Sequence, residues 1–475
     1  MPTPTLPRRT GGRKRLILIF LLLGAVIPLR AEAPHYAAQL ARECDELMSL
    51  AIKRPYGWGW AEDTERAKPK IGSPLVRLEP PGSAGAGFVL YWSGELLDNP
   101  KYKQAAFDAA RAMQMARQPT GQIPEATLFH QSAPAGHDAA FLVAHRAATR
   151  AALGLALTLL DDTGGKDDQF RRMALPSLTW LLKQQAPIGS WPQGYPPTTA
   201  DAWRMTRLDT PDFRDSVFAM LLAADVLDNT QARLSIERAI HSLIRMRIGA
   251  GSKAGEPLWA TIYGLDHFPT DRLRDFPPGI DILASRNAMQ ILLAAHVMLG
   301  DPPIRGDDKA TWSKPLAEAA EAASKLPRHD GKWIRIYDYE IANTIAPPST
   351  QPAIFSTKPP LIPPSQQTGT WGMDTLIEDA QNLADVGRDK FIAALSANFT
   401  MRQRLAAALC GLDDDPFSVD LPVRREDITA YLKNHAGKFA ALDEPMPTTL
   451  TDRVRRIYLL LIRARLERRI QNQIQ

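Results

Sequence analysis

The residues with the clearest chemical content fall in one part of the chain. Gly189 to Pro196 reads GSWPQGYP, and Arg207 to Asp215 reads RLDTPDFRD, just before an apolar stretch, Ser216 to Leu227. Trp191 and Tyr195 offer flat faces for sugar rings, Gln193 offers an amide, and Arg207 and Arg214 present planar forks of donors that suit carboxylates. Asp209, Asp212 and Asp215 are hard oxygen ligands for a cation, or proton acceptors. Such a set at a loop-to-helix boundary suits a carbohydrate carrying acidic groups. The plainer alternative is a proline-braced loop whose Asp215 caps the next helix.

Positioning such a cluster requires a scaffold, and the sequence repeats one. Four apolar segments, Phe88–Asn99, Ala147–Asp162, Val217–Asn229 and Ala288–Asp301, close on similar stops (LLDN, LLDD, VLDN, MLGD). Asp98, Asp161, Asp228 and Gly300 mark those stops at spacings of 63, 67 and 72 residues. A second helical stretch follows each: Tyr102–Gln118, Phe170–Gln185, Ala232–Arg247 and about Ala310–Lys325. Helical spacing with few alternating β-branched runs outside Lys332–Tyr339 predicts stacked helical hairpins. The expected fold is all-α, an (α/α) toroid or partial barrel, with the first helix of each pair inside.

In such a ring the inner helices run parallel, so their N-termini converge on one rim. That rim would gather residues 79–85, His137-Asp138, His145-Arg146, Asp209–Asp215 and Ser285-Arg286, plus the loops 118–125, 184–196 and 247–259. Helix N-termini carry partial positive charge and free amides, so this face favours anions. The rim with the LDN-type stops is expected to be structural.

The ends of the chain differ from its body. Basic residues from Arg8 to Arg15 precede an apolar run of 14 residues, Leu16–Leu29, as in an export signal over residues 1–33, and the chain is expected to be exported to the periplasm or secreted. An uncleaved anchor is the alternative. The net charge of +5 is concentrated at the termini: residues 1–33 hold six basic residues against Glu32, and residues 453–475 hold seven arginines against Glu467. The body is therefore mildly acidic, which argues against nucleic-acid binding. Cys44 and Cys410 are the only cysteines and lack metal-site spacing; they could bridge the two ends of the chain. Seven prolines between residues 341 and 368 separate residues 34–365 from a helical region, 366–475, with helices expected at Asp374–Asp385, Lys390–Leu412, Arg425–Ala441 and Leu450–Gln475. The last is basic and amphipathic, suited to a membrane surface or to packing on the toroid.

These residues resemble the pectate lyases of polysaccharide lyase family ten, over roughly residues 40–360. The family hallmark GGWPQxYP corresponds to Gly189–Pro196, and its FNDDAM segment to Phe213–Val217, which aligns Asp215 with the first family aspartate. Leu258–Tyr263 and Asp266–Pro278 resemble a further family segment, as do Trp333–Tyr337 (WIRIY) and Pro352–Ser356 (PAIFS). The resemblance implies a partial α/α toroid that cleaves pectate by calcium-assisted β-elimination, with Arg274 as base and Asp215 as a catalytic-site cation ligand. Read from the residues alone, Arg274 could instead clamp a carboxylate or pair with Asp271 or Asp275, and Asp209 and Asp212 could assist the cation or be solvated loop charges. Two positions depart from the pattern: His145 stands where the family's IDNxAT motif has its aspartate, and Lys358 where FxxRDG has its arginine.

β-Elimination needs a base for the C5 proton, neutralisation of the uronate carboxylate, and subsites along the polymer. With calcium ligands reduced, Arg146, Arg214 and Arg286 are candidates to bind carboxylates directly, with His145 and Lys358 beside them. Trp191, Tyr195, Trp259 and Tyr263 are candidate sugar contacts, extended by Trp58 and Trp60. The expected partner is an acidic polysaccharide, bound by a monomer without nucleic acid or a stable membrane partner. Two other readings stand beside the lyase: a non-catalytic acidic-glycan binder, and a glycoside hydrolase of unsaturated uronides, which needs two facing carboxylates from Asp138, Asp215 and Asp266.

Overall fold

A computed structural model of the chain describes residues 35–63, 73–136, 146–165, 167–192, 205–248, 257–264, 267, 269, 279–304, 307–338, 368–396, 399–413, 425–434 and 436–472. The expected export segment, His145, Gln193, Tyr195, Arg274, Lys358, Asp138 and Asp266 lie outside these residues.

The fold is an (α/α) toroid. A first helix, α1 (His35–Ser49), is followed by four hairpins. These pair α2 (Ser83–Leu97) with α3 (Pro100–Ala116), α4 (Arg146–Asp162) with α5 (Asp168–Lys183), α6 (Pro211–Val226) with α7 (Thr230–Arg245), and α8 (Ile282–Leu299) with α9 (Ser313–Ser324). Even-numbered helices form the inner row, where α2 touches α4, α4 touches α6, and α6 touches α8. Burial explains the division. In α6 every side chain from Phe213 to Ala224 is buried, as expected for a helix enclosed on all sides. In α7 the buried positions are Ala232, Ser235, Ile236, Ala239, Ile240, Ser242 and Leu243, a single stripe facing the inner row.

The LDN-type stops work as turns on one rim. Asp98 and Asp228 take left-handed conformations (φ 51° and 48°) that end α2 and cap the α6 turn. The side chains of Asn99, Asp167 and Asn229 then cap α3, α5 and α7 by accepting first-turn amides. Asp and Asn tolerate both roles better than other side chains, which is why the stop repeats.

The inner helices begin earlier than the apolar pattern suggests. Polar and charged residues at their N-termini are buried here against neighbouring helices, so the pattern under-reads them. Asp215 is consequently the fifth residue of α6 and not its cap; Thr210 holds that position, and Pro211 starts the helix, where its missing N–H costs nothing.

Helices of the C-terminal region pack against the ring. After α10 (Met373–Val386) and α11 (Arg388–Ser396), a short helix α12 (Met401–Leu409) lies against α4, α6 and α8. Lys390–Leu412 is therefore two helices, because Thr400 and Gln403 form a capping box that starts α12 afresh. Gly154 of α4 lets α12 approach: a Cβ there would stand 3.2 Å from Leu409. After α13 (Arg425–Asn434) and α14 (Ala436–Ala440), α15 (Leu450–Asn472) packs on α1 and α2, with Arg456 on Glu43 at 3.0 Å and Arg453 on Glu46. Its basic face is thus largely spent inside the protein. Cys44 and Cys410 are buried as separate free thiols, Cys410 directed at the Ala151 carbonyl, so of the two states open to them they take the unbridged one.

A second repeat is hidden in the loops that leave the outer helices. Trp60, Trp191 and Trp259 each donate an indole N–H to a carbonyl in the last turn of the preceding outer helix: Leu47 (2.8 Å), Leu181 (3.0 Å) and Leu243 (2.8 Å). The backbone N–H groups of Trp60, Ile123 and Trp259 are each taken by a hydroxyl near the start of the next inner helix, Ser83, Thr149 and Ser285. Gly121 and Gly189, two residues ahead of Ile123 and Trp191, have φ near +100°. A Cβ on either would lie 2.2 Å from a carbonyl of the next outer helix, Pro176 or Arg238, so only glycine fits. Each such loop is thus pinned to two helices.

Candidate functional site at the inner-helix N-termini

The N-termini of α4, α6 and α8 meet on one rim, since residues of their first and second turns bond to one another. Arg150 of α4, 2 % exposed, donates to the Asp212 carboxylate and the Asp212 carbonyl, both at 2.9 Å, and to Ser216 Oγ at 3.1 Å. Arg214 of α6 donates Nε to Asp215 at 2.8 Å and Nη1 to Gln290 of α8 at 3.1 Å. Asn287 of α8 holds the chain entering α6 through the Leu208 and Thr210 carbonyls.

Beside this lies a chain of alternating charges. Arg207 grips Asp209 with two donors, at 2.8 and 2.6 Å; Arg335 reaches the same carboxylate at 3.0 Å and Asp281 at 3.1 Å. Asp281 is fully buried, caps α8 through the Leu283 and Ala284 amides, and accepts from Thr261. Short antiparallel strands pair Thr206–Arg207 with Ile262–Tyr263 and Gly279–Asp281 with Ile336–Asp338, bringing these charges together.

Arg146, the first residue of α4, stands apart. It is 3 % exposed, donates one Nη to the Pro192 carbonyl at the end of the GSWP turn, and its Nε has no hydrogen-bond partner among the described residues. Burial pulls its guanidinium down to about 10; nearby Asp212 opposes the fall and Arg150 adds to it. Burial alone would raise Asp212, but Arg150, Arg146 and Arg207 outweigh it and hold the carboxyl below the usual range. The side chain of Asp212 keeps 34 % of its surface exposed, so solvent reaches this cluster.

Several expected site residues take other roles. Trp191 and Trp259 are 1 % and 0 % exposed, with their indole N–H groups spent on helix ends, and Trp191 lies against Phe213. They present no face to a sugar; a large apolar ring that can tie a loop to a helix end gains more by burial. Tyr263 is equally buried and its hydroxyl accepts the Ala260 amide at 2.6 Å. Trp60 joins the core, while Trp58 is half-buried under Lys53. Arg286 is half-buried in the second turn of α8.

The described carboxylates do not fit a calcium ion. That ion takes six to eight oxygens, yet both oxygens of Asp209 are bonded by guanidinia, and Asp215 is bonded by Arg214. No group of three or more His, Cys, Asp or Glu able to hold a metal occurs among the described residues.

Comparison with known proteins gives architecture only. No family model matches the sequence, and no curated protein does. Among solved structures, a mutant family 10 polysaccharide lyase from Cellvibrio cellulosa in complex with trigalacturonic acid is 14 % identical, covering 57 % of this chain and 86 % of its own, with TM-score 0.36. An inactive α-1,6-mannanase from Salegentibacter with bound mannotriose is 9 % identical over 91 % of this chain and 99 % of its own, TM-score 0.42. Cellobiose 2-epimerase from Spirochaeta thermophila is 13 % identical over 94 % of this chain and 100 % of its own, TM-score 0.46. These likenesses are faint, and the site is read from its own residues.

Arg150 and Asp281 gave sequence signals that pointed to no role. Arg150 is the only charged side chain inside an apolar run from Ala147 to Leu160, and Asp281 immediately precedes the apolar α8. The first marks a buried pair and the second a helix cap. Arg335 carried no comparable signal, because its partners lie 54 and 126 residues away.

Proposed function

We propose that the chain acts on an acidic polysaccharide, polygalacturonate or a related uronate polymer, at the N-terminal rim of α4, α6 and α8, cleaving it by β-elimination. The observation that supports this most is a charge imbalance. Two buried guanidinia, Arg146 and Arg150, share the single part-exposed carboxylate of Asp212, at helix ends that themselves favour anions. The family resemblance adds the GSWPQGYP motif, whose Pro192 carbonyl touches this cluster, and puts the base at Arg274. Guanidinium binding withdraws charge from a uronate carboxylate, which acidifies the adjacent C5 proton and stabilises the anion formed on its removal. On this reading the N-terminal segment 1–33 directs the chain out of the cytoplasm, where such polymers are met.

The test is a near-ultraviolet scan while the purified protein acts on polygalacturonate, with calcium and with chelator. The unsaturated product of a lyase absorbs, and a rise that persists in chelator is expected. A flat trace with retained polymer binding would overturn cleavage in favour of a non-catalytic glycan binder. One observation favours that second reading: Asp209 and Asp215 are tied to arginines, so neither is free to act as a base. A fall in absorbance on unsaturated uronides would instead indicate hydrolysis.

A further inference from the structure

Arg146 differs from Arg150, Arg335, Arg453 and Arg456 in having no ion-pair partner of its own among the described residues. Arg335 meets two carboxylates, and Arg453 and Arg456 meet Glu46 and Glu43. Arg150 holds Asp212 directly. Arg146 donates only to a neutral carbonyl, shares the nearby charge of Asp212 with the like-charged Arg150, and has the positive end of α4 behind it. A buried cation in that setting is unfavourable, and breaking neighbouring pairs would not relieve it. A second anion would.

We propose that Arg146 is a carboxylate-binding residue, and that a uronate carboxylate enters beside Asp212 as the missing counter-ion, so that acidic sugar is held without a divalent cation. This rests on the reading under Proposed function and deepens it. Asp212 has two parts in the arrangement. It keeps Arg150 oriented through Nη2, and its exposed edge marks the side from which a ligand reaches the cluster. Arg146 is then the selective element: a neutral hexose offers it no charge, whereas a carboxylate can accept from its Nε and remaining Nη donors in the two-point geometry that guanidinium favours.

Calorimetric titration of the chelator-treated protein with trigalacturonate, and with neutral galactose oligomers as control, tests the assignment. Binding to the wild type without calcium is expected, weakened at least about tenfold in Arg146→Gln and partly restored in Arg146→Lys, with Arg233→Gln on the outer helix α7 unchanged. Ligand-free Arg146→Gln should unfold at or above the wild-type temperature, and trigalacturonate should raise the melting temperature of the wild type alone. Wild-type affinity in Arg146→Gln, or binding that requires calcium, overturns the assignment and leaves the glycan reading standing. No binding of trigalacturonate to the wild type under either condition overturns both. If Arg146→Gln does not fold, a crystal structure of the wild type with trigalacturonate decides: a uronate carboxylate on Arg146 supports the assignment, and carboxylates elsewhere end it.

Discussion

At their C-terminal ends, α4 and α6 present Asp161 and Asp225 to one guanidinium, Arg402, in the first turn of α12. At the N-terminal ends, α4 supplies two guanidinia, Arg146 and Arg150, near one carboxylate, Asp212 of α6, which Arg150 holds directly. The counts mirror each other, but the surroundings do not. Arg402 is assisted by the positive N-terminus of α12, so the carboxylates at the helix C-termini are neutralised within the fold. The arginines sit at the positive end of their own helix, α4, and nothing comparable to α12 closes over them among the described residues. One rim is finished by the chain itself, whereas the other is left short of negative charge, as a binding surface for anions would be.

The contrast can be broken most forcefully at the loops that hold the ligand-facing rim in place. Replacing Trp259 by Ala removes a fully buried ring and its bond to Leu243, and should cost about 3–5 kcal/mol in denaturant-induced unfolding. A loss under about 1 kcal/mol would mean that the indole is not a core anchor. Arg402→Gln should cost less, about 1 kcal/mol, because the guanidinium is 40 % exposed and solvent screens both pairs. Set beside Arg146→Gln, for which no loss is expected, it compares the two rims directly; equal losses in the two variants would erase the distinction drawn here.

The smallest effect is expected at Asp212 and depends on pH. The arginines hold this carboxyl below its ordinary range, so its contribution to stability is present above the unfolded-state pKa of about 4 and fades as pH falls through the folded value. Asp212→Asn should therefore be less stable than the wild type at neutral pH, with the melting temperatures converging in acid. A difference that stays constant down to pH 3 would assign the effect to lost hydrogen bonding rather than to charge.

Local sequence determined a good deal. The recurring LDN stops, with Asp98 and Asp228 left-handed and Asn99 and Asn229 capping, act within a few residues of themselves, so their type and spacing fixed the turns and the hairpin period. The enclosed character of α6 and the striped character of α7 were likewise legible, because burial imposes its periodicity on composition. Tertiary structure decided the rest. Whether an indole is a sugar platform or a loop anchor depends on a carbonyl in another element, as Trp191 and Leu181 illustrate. Whether an aspartate is a free ligand depends on distant cations: Asp281 is neutralised by Arg335, 54 residues along the chain. Nor could the sequence reveal that residues 401–409 fill the middle of the ring, since α12 is held by contacts with α4, α6 and α8 that no local pattern records. Side-chain type set what each residue could do; the partner brought within about 3 Å by the fold set what it does.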